Sequence, residues 1–411
     1  MVKKWLFILI VLVMVASTVF VSCADGTTPP PPPEKDPYVV GIAGSLTGPM
    51  AISYIPLIDG LRIYLEAVND RGGINGRQVK ILIEDSQSSP AEAAVAARKL
   101  TEMGAHILFG LDGSPTYGAY ETEAKRAKVP SILGGVAPPR SLPPTPDPFV
   151  YSGGWGGSTA AVVSIGAYKL TQYGGEGSVA GVTTMDSPVM KMAGEGTIQL
   201  GKKYGLKDVV YRPIPTGTVD LTPIALVFKE AGAASAVNLG AAGHSLMLYD
   251  ALMKIGWDGM YCMVVTDPVE ILFEKYKGKE NMALILVGYF PFQADFPFFA
   301  DVKAAAEKYG VTDVTSQLTV GWELGMVVEE IFKRAGWPVT TDRLLEVMGD
   351  FEFKRPMTGT LKWNDDNHAS NAVVPDYLWD KAKGEWVYSP PTLVLDAWGE
   401  IIPYDDFRDI P

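Results

Sequence analysis

Several short polar runs stand where an apolar run stops, and their residue types suit the capture of an anion by neutral donors. Ser45 and Thr47 lie in the run GSLTGP that begins at Gly44, Asp112 and Ser114 in GLDGSPT from Gly110, and Asp186 follows the apolar residues at 179–183. Gly134, Gly135, Val136 and Ala137 form a fourth run, and Gly240, Ala241, Ala242, Gly243 and His244 a fifth. A serine hydroxyl beside the unsatisfied N–H groups of a helix start binds a carboxylate without covalent chemistry. The ordinary alternative is that such a serine only caps its helix. Covalent chemistry has weaker support. His106, His244 and His368 are the only histidines, and none stands in a metal spacing such as HExxH. No GxSxG, P-loop or first-turn GxGxxG occurs, and neither Asp186 beside Ser187 nor Asp112 near Ser114 is specific enough for an activated nucleophile. The residues carry no catalytic or metal-binding motif, so the expectation is not an enzyme, with no cofactor and no metal.

The elements that position these runs follow from periodicity. Val39, Val40, Ile42 and Ala43 make a buried-strand run, and Leu57, Leu61, Ile63, Tyr64, Leu65 and Val68 then recur at three- and four-residue spacings. That is strand, polar loop, helix. Further strands are expected at 79–83, 105–109 and 129–133, with helices from Pro90 through Met103 and over 117–127. Pro90 suits a first helical turn, where its missing N–H costs nothing. A second set runs from 158: helices at 158–172, 194–204, 221–231 and 245–255 alternate with strands at 179–183, 209–212, 235–239 and 260–265. Repeated βα units with short connections predict an α/β fold of two doubly wound parallel-sheet lobes. The polar runs then sit at the carboxyl ends of the strands, where ligands bind, with a cleft between the lobes.

A chain of 411 residues exceeds one typical domain, in keeping with two lobes. The formal charge of −12 excludes a basic stripe and argues against a nucleic-acid partner. Lys3 and Lys4, the apolar residues 5–15 and the small residues Ala16, Ser17 and Thr18 read as an export signal. Phe20, Val21, Ser22 and Cys23, followed by Ala24, resemble a bacterial lipobox, although Phe20 stands where that pattern prefers leucine. The expectation is a lipoprotein signal peptide over 1–22, lipidation of Cys23 and anchorage to a membrane. A plain signal peptide or an uncleaved anchor helix is the alternative. Cleavage removes Lys3 and Lys4 and no acid, which takes the charge from −12 to −14. Residues 23–36 are proline-rich and make a semi-rigid spacer. Cys262 is then alone, so no internal disulfide is expected, and its apolar neighbours suggest a packed core thiol.

Taken together, GSLTGP from Gly44, Gly60, the run NDRGGINGR from Asn69, Glu84-Asp85-Ser86 and PAEA from Pro90 resemble the N-terminal lobe of the branched-chain amino acid-binding proteins. These are type I periplasmic solute-binding proteins of ABC importers. The likeness continues through 110–116, Val129-Pro130 and 218–220, and covers most of 37–379. It implies two lobes joined by three crossovers, one built from 37–154 and 291–366, the other from 155–290 and 367–411. It implies capture of an amino acid or related small carboxylate by hinge closure, and partnership with an ABC permease and ATPase. A receptor subunit that reports occupancy to a membrane partner would use the same cleft.

By the same resemblance Ser114 matches the serine that grips a ligand carboxylate, Tyr54 a tyrosine lining the side-chain pocket, and Gly135 a residue giving backbone contacts. Ser45 and Asp186 stand in the equivalent loops. The departures carry information. A family threonine falls on Ala137, and lobe-two tyrosines fall near Ala193 and on Ala241 or Ala242. The acid that pairs with a substrate ammonium aligns with Val265, and only a two-residue shift recovers Asp267. An ammonium buried without a counter-charge is costly. So Asp267 or Asp112 does this job, or the ligand carries no α-ammonium. The smaller residues leave room for a longer or aromatic carboxylate, against which Trp155, Tyr289, Phe290 and Phe292 are placed to stack, core packing being the alternative for each.

Overall fold

The computed structural model describes residues 35–48, 50–135, 137–153, 159–186, 188–215, 218–239, 242–265, 269–287, 296–395, 400–405 and 409–410. The body from Pro37 onward is one compact unit. Its first sheet holds β1 (Tyr38–Gly44), β2 (Val79–Asp85), β3 (Ile107–Leu111), β4 (Ser131–Leu133) and β5 (Val150–Ser152). The order is β2-β1-β3-β4-β5 and every pairing is parallel. Helices α1 (Ala51–Asp70), α2 (Pro90–Glu102) and α3 (Tyr117–Ala127) make the crossovers.

The local patterning explains these elements. Tyr38, Val40, Ile42 and Ala43 of β1 are fully buried, as a strand covered on both faces requires. All six periodic apolar residues of α1, from Leu57 to Val68, face the core. On α2 the buried stripe is Ala93, Ala96, Ala97 and Leu100, while Val95 (62% exposed) and, just past the helix end, Met103 (44%) face solvent. Small residues there let the helix lie close to the sheet.

The second sheet has eight strands in the order β15-β14-β13-β10-β9-β8-β6-β7. Five are parallel: β6 (Val179–Met185), β7 (Asp208–Ile214), β8 (Ala233–Leu239), β9 (Met260–Val265) and β10 (Met282–Leu286). The helices between and after them are α4 (Thr159–Gly174), α5 (Pro188–Lys203), α6 (Thr222–Glu230), α7 (Ala242–Lys254) and α8 (Val269–Lys275). The other three strands, β13 (Ala372–Asp380), β14 (Glu385–Leu395) and β15 (Ile401–Tyr404), are antiparallel. An all-parallel second lobe was the expectation; the returning chain instead adds an antiparallel edge.

Between β10 and β13 the chain visits the first lobe again. Helices α9 (Phe299–Lys308), α10 (Ser316–Ala335) and α11 (Thr341–Gly349) and the hairpin β11 (Phe351–Arg355) and β12 (Gly359–Trp363) form there. Helix α10 lies directly on α1. A Cβ at Gly60 would come within 2.0 Å of the Leu318 carbonyl oxygen, and one at Gly321 within 2.1 Å of the Leu57 carbonyl oxygen. Only glycine permits that backbone contact. The chain therefore passes between the two sheets three times.

At the amino ends of the first sheet, His106 Nδ1 accepts the Val39 N–H at 2.9 Å, with the Phe332 and Trp337 rings edge-on to it. Burial holds this imidazole below its ordinary pKa, so the folded protein keeps it neutral. Unfolded histidine titrates near 6.5, so the unfolded chain takes up the proton first as pH falls. The stability that His106 contributes is whole above about pH 6.5 and is lost on acidification below it. His244 and His368 are shifted the same way by burial. Urea midpoints at pH 7.5, 6.5 and 5.5 are expected to fall in that order, well above the carboxylate range. Replacing His106 with Gln, which offers an acceptor that does not titrate, is expected to flatten part of the decline; an unchanged slope would exclude His106 as a source.

Candidate functional site

Asp112 gathers the loops at the carboxyl ends of the first sheet. Its carboxylate is fully buried just after β3. Ser45 Oγ (2.5 Å) and the Gly113 N–H (2.7 Å) donate to Oδ1. The Ser86 hydroxyl and Tyr120 OH (3.2 Å) donate to Oδ2. The loops after β1, β2 and β3 and the helix α3 thus converge on one charge. Ser88 Oγ adds a second tie, sharing its one proton between Ser45 Oγ (3.0 Å) and the Thr47 carbonyl (3.1 Å) and accepting the Met50 N–H (3.1 Å). Gln87 and Ser88 both have left-handed backbones, φ 52° and 55°. Asp85 helps to hold that turn, receiving the N–H groups of Leu46, Thr47 and Gln87 and the Thr47 hydroxyl. Burial works to raise the Asp85 pKa, but these hydrogen bonds outweigh it and keep the carboxyl below its ordinary value.

Ser114 opens a 3-10 turn, Ser114–Thr116, that runs straight into α3. It is solvent-exposed, and its hydroxyl and N–H have no partner among the described residues. Its own carbonyl accepts from the Tyr117 N–H. Hydroxyl and amide therefore stand at the start of a helical run whose backbone dipoles favour an anion.

Tyr54 and Gly135, expected as ligand contacts, meet at a residue the sequence did not single out. The Tyr117 hydroxyl is hydrogen-bonded to the Tyr54 side chain and to the Gly135 backbone. A Cβ at position 135 would fall 2.3 Å from the Tyr117 hydroxyl and 3.0 Å from that of Tyr54, so any larger residue would have to displace the Tyr117 phenol. Burial, and then the charge of Asp112, push the Tyr117 phenol well above its ordinary pKa, and it stays a neutral hydroxyl. Ala137 is buried against Ala369 and Leu142, so its methyl meets the third passage between the lobes.

At the end of the second sheet Asp186 follows β6 and pairs with Lys191 on the first turn of α5 at 2.8 Å. Asn238 bridges Thr183 Oγ1 (2.9 Å) and Ser245 Oγ (2.8 Å), joining β6, β8 and the first turn of α7. His244 stands beside that bridge, its Nδ1 shielded and without a hydrogen-bond partner among the described residues. Ala193 is buried in α5. Trp155, Ala241, Asp267, Tyr289, Phe290, Phe292 and Cys23 lie outside the described residues. Among the described residues no group of three His, Cys, Asp or Glu could hold a metal ion, and no helix is long and apolar enough to cross a membrane.

Comparison with known proteins agrees with this architecture. A family model described as "Periplasmic binding protein" matches residues 37–375. The Leu/Ile/Val-binding protein homolog 1 of Brucella abortus is 35% identical over 72 residues, 18% of this chain and 19% of that protein. The matched stretch thus spans about a fifth of that curated relative. A substrate-binding protein of R. palustris, solved in complex with 4-hydroxybenzoate, superposes with a TM-score of 0.72 at 17% identity, over 89% of this chain and 99% of the other. A leucine-binding protein of Thermotoga maritima superposes with a TM-score of 0.69, also at 17% identity, over 87% and 98%. These two likenesses are of fold.

Proposed function

This chain belongs to the periplasmic binding protein family, whose members are extracytoplasmic substrate-binding proteins rather than enzymes, and from that premise we propose that it captures an amino acid or related small carboxylate between its lobes. The observation that carries this reading is the pair of unengaged donors on Ser114, set at an exposed helix start and braced from below by Asp112. A neutral donor pair suits a carboxylate because the negative overall field of the protein supplies no long-range attraction for one. We divide the lobes as 37–154 with 291–371 and 155–290 with 372–411, five residues later than the sequence boundary at 366–367, because His368 and Asn371 bond to first-lobe residues. The lobes close over the guest by hinge motion. Lipidation of Cys23 tethers the protein outside the cytoplasmic membrane, and an ABC permease with its ATPase receives the ligand.

Relatives are named for branched-chain amino acids, and one structural neighbour holds 4-hydroxybenzoate. The α-ammonium question separates these two ligand classes. A thermal-shift screen of branched-chain amino acids, benzoates and short aliphatic acids identifies the class, since a true ligand stabilises by mass action. For the best binder, Ser114→Ala is expected to weaken affinity about 10-fold or more, the worth of a hydrogen bond to a charged group. Unchanged affinity would remove Ser114 from the site.

A further inference from the structure

The end of β5 and the segment that follows β12 lie side by side, and the contacts between them are dense. The Ser152 N–H donates to the His368 carbonyl at 2.8 Å, and Trp363 Nε1 donates to the Ser152 carbonyl at 3.1 Å. Arg355, buried at the end of β11, reaches the Gly153 carbonyl at 3.3 Å and also holds the carbonyls of Thr358 (3.0 Å) and Gly359 (3.2 Å). The His368 ring stacks on Tyr151 at 4.1 Å, and the Tyr151 ring is 4.9 Å from that of Trp363. His368 Nδ1 lies 3.1 Å from the carbonyl oxygens of both Asp147 and Val150. Carbonyls only accept, so Nδ1 carries the proton and shares it. The His368 N–H in turn donates to the Ser141 carbonyl at 3.0 Å.

These bonds seat the third passage in the first lobe almost to its end. Asn371 Nδ2 still donates to the Thr360 carbonyl at 3.0 Å, while Ala372 already pairs with Leu395 in the second sheet. One peptide link, from 371 to 372, separates the last first-lobe tie from the first second-lobe pairing.

We infer that the segments 150–153 and 363–371 act as one clamped strut, and that Trp363 and His368 are positioning residues that set how readily the lobes close. Neither side chain need touch the ligand. They fix the direction in which the chain enters the pivot at 371–372, and so bias the balance between open and closed forms. Apparent affinity scales with the fraction of molecules able to adopt the binding form. Loosening the strut therefore changes affinity for every ligand by one common factor. This rests on the capture reading above.

The test compares wild type with Trp363→Phe, which removes one donor and keeps an aromatic ring of smaller size, and with His368→Phe and His368→Asn. The asparagine places an amide N–H near the position of Nδ1 and serves as the rescue variant. Calorimetric titration with L-leucine and with 4-hydroxybenzoate is paired with small-angle X-ray scattering of the ligand-free full-length protein. The expected result is a shifted ligand-free radius of gyration for Trp363→Phe and His368→Phe, and a change of about 3- to 10-fold in each measurable affinity, equal for the two ligands. His368→Asn stays near wild type. Ligand-dependent factors would place these residues in the pocket and overturn the inference. Folded variants with unaltered scattering and affinity would overturn it too, as would a loss of thermal stability with unaltered scattering. If wild type binds neither compound, only leucine and 4-hydroxybenzoate are excluded as ligands, and the scattering alone still decides whether the strut sets the lobe arrangement.

Discussion

Replacing Asp112 with alanine is expected to cost on the order of 3–5 kcal/mol of unfolding free energy and to weaken ligand capture in the same step. The carboxylate is fully buried, and four donors from four places in the chain end on it: Ser45, Ser86, Tyr120 and the Gly113 N–H. A buried donor left without an acceptor costs about 1–3 kcal/mol, and partial relaxation or entry of water keeps the four from adding in full. The loss reaches function because these bonds hold the loops that carry Ser45 and present Ser114. Urea denaturation and titration with the best ligand measure the two effects, and an affinity loss of at least about 10-fold is expected, comparable with removal of the Ser114 hydroxyl. Asp112→Asn is milder, about 1–2 kcal/mol, since an oxygen acceptor remains and the Ser86 and Tyr120 hydroxyls can turn to accept from the amide. The same variant separates bracing from recognition. If it abolishes binding of an amino acid but leaves binding of a carboxylate without an ammonium intact, Asp112 is a counter-charge for the ligand. Equal, modest losses for both mean that it acts only as a brace.

The first lobe was legible in the sequence because its signals are local. The β1 run, the glycine-containing loop and the apolar stripe of α1 each state their own geometry, and the structure places Leu57, Leu61 and Val68 in the core accordingly. Ser114 was singled out by its match to the family serine, and only its place in the loop at 110–116 was a local signal. The antiparallel edge was not legible. Strand β13 contains Pro375 and β14 contains Pro390 and Pro391, and proline demotes a run as a strand candidate. The pairing of β13 with β14 shifts register between Val374 and Asp376, so Pro375 sits in an irregularity that excuses its missing N–H. Tyr117 was invisible as a site residue because what marks it, contact with Gly135 and Tyr54, spans separate loops. Asp112 read as a candidate counter-charge, since no sequence pattern shows three hydroxyls arriving from 45, 86 and 120.

Long-range partnership is also what makes Asp376 intelligible, and it carries the second large prediction. Asp376 on β13 and Lys169 on α4 are both fully buried and pair at 2.6 Å. Tyr173 OH donates to the same carboxylate oxygen, Oδ2, at 2.8 Å, and Lys169 Nζ also reaches Gln172 Oε1 at 3.1 Å. The other oxygen, Oδ1, has no partner among the described residues. Burial pushes the Asp376 carboxyl above its ordinary range, against the pull of Lys169 and the two hydrogen bonds. Such a pair is poor evidence of net stabilisation, because desolvating two ions offsets much of their attraction. Breaking it is another matter. Lys169→Met is expected to cost about 3–5 kcal/mol by leaving a charge buried without its partner, and Asp376→Leu alone a similar amount. The double variant is expected to recover most of that loss, with a coupling of at least about 2 kcal/mol in the cycle. Helix α4 is the first described element after the first passage between the lobes, and β13 the first strand after the third. The pair thus joins, inside the second lobe, the two segments that the strut joins inside the first. Additive single and double variants in urea denaturation would show that the two charges are held by separate surroundings, and that this end of the pivot is fixed by apolar packing alone.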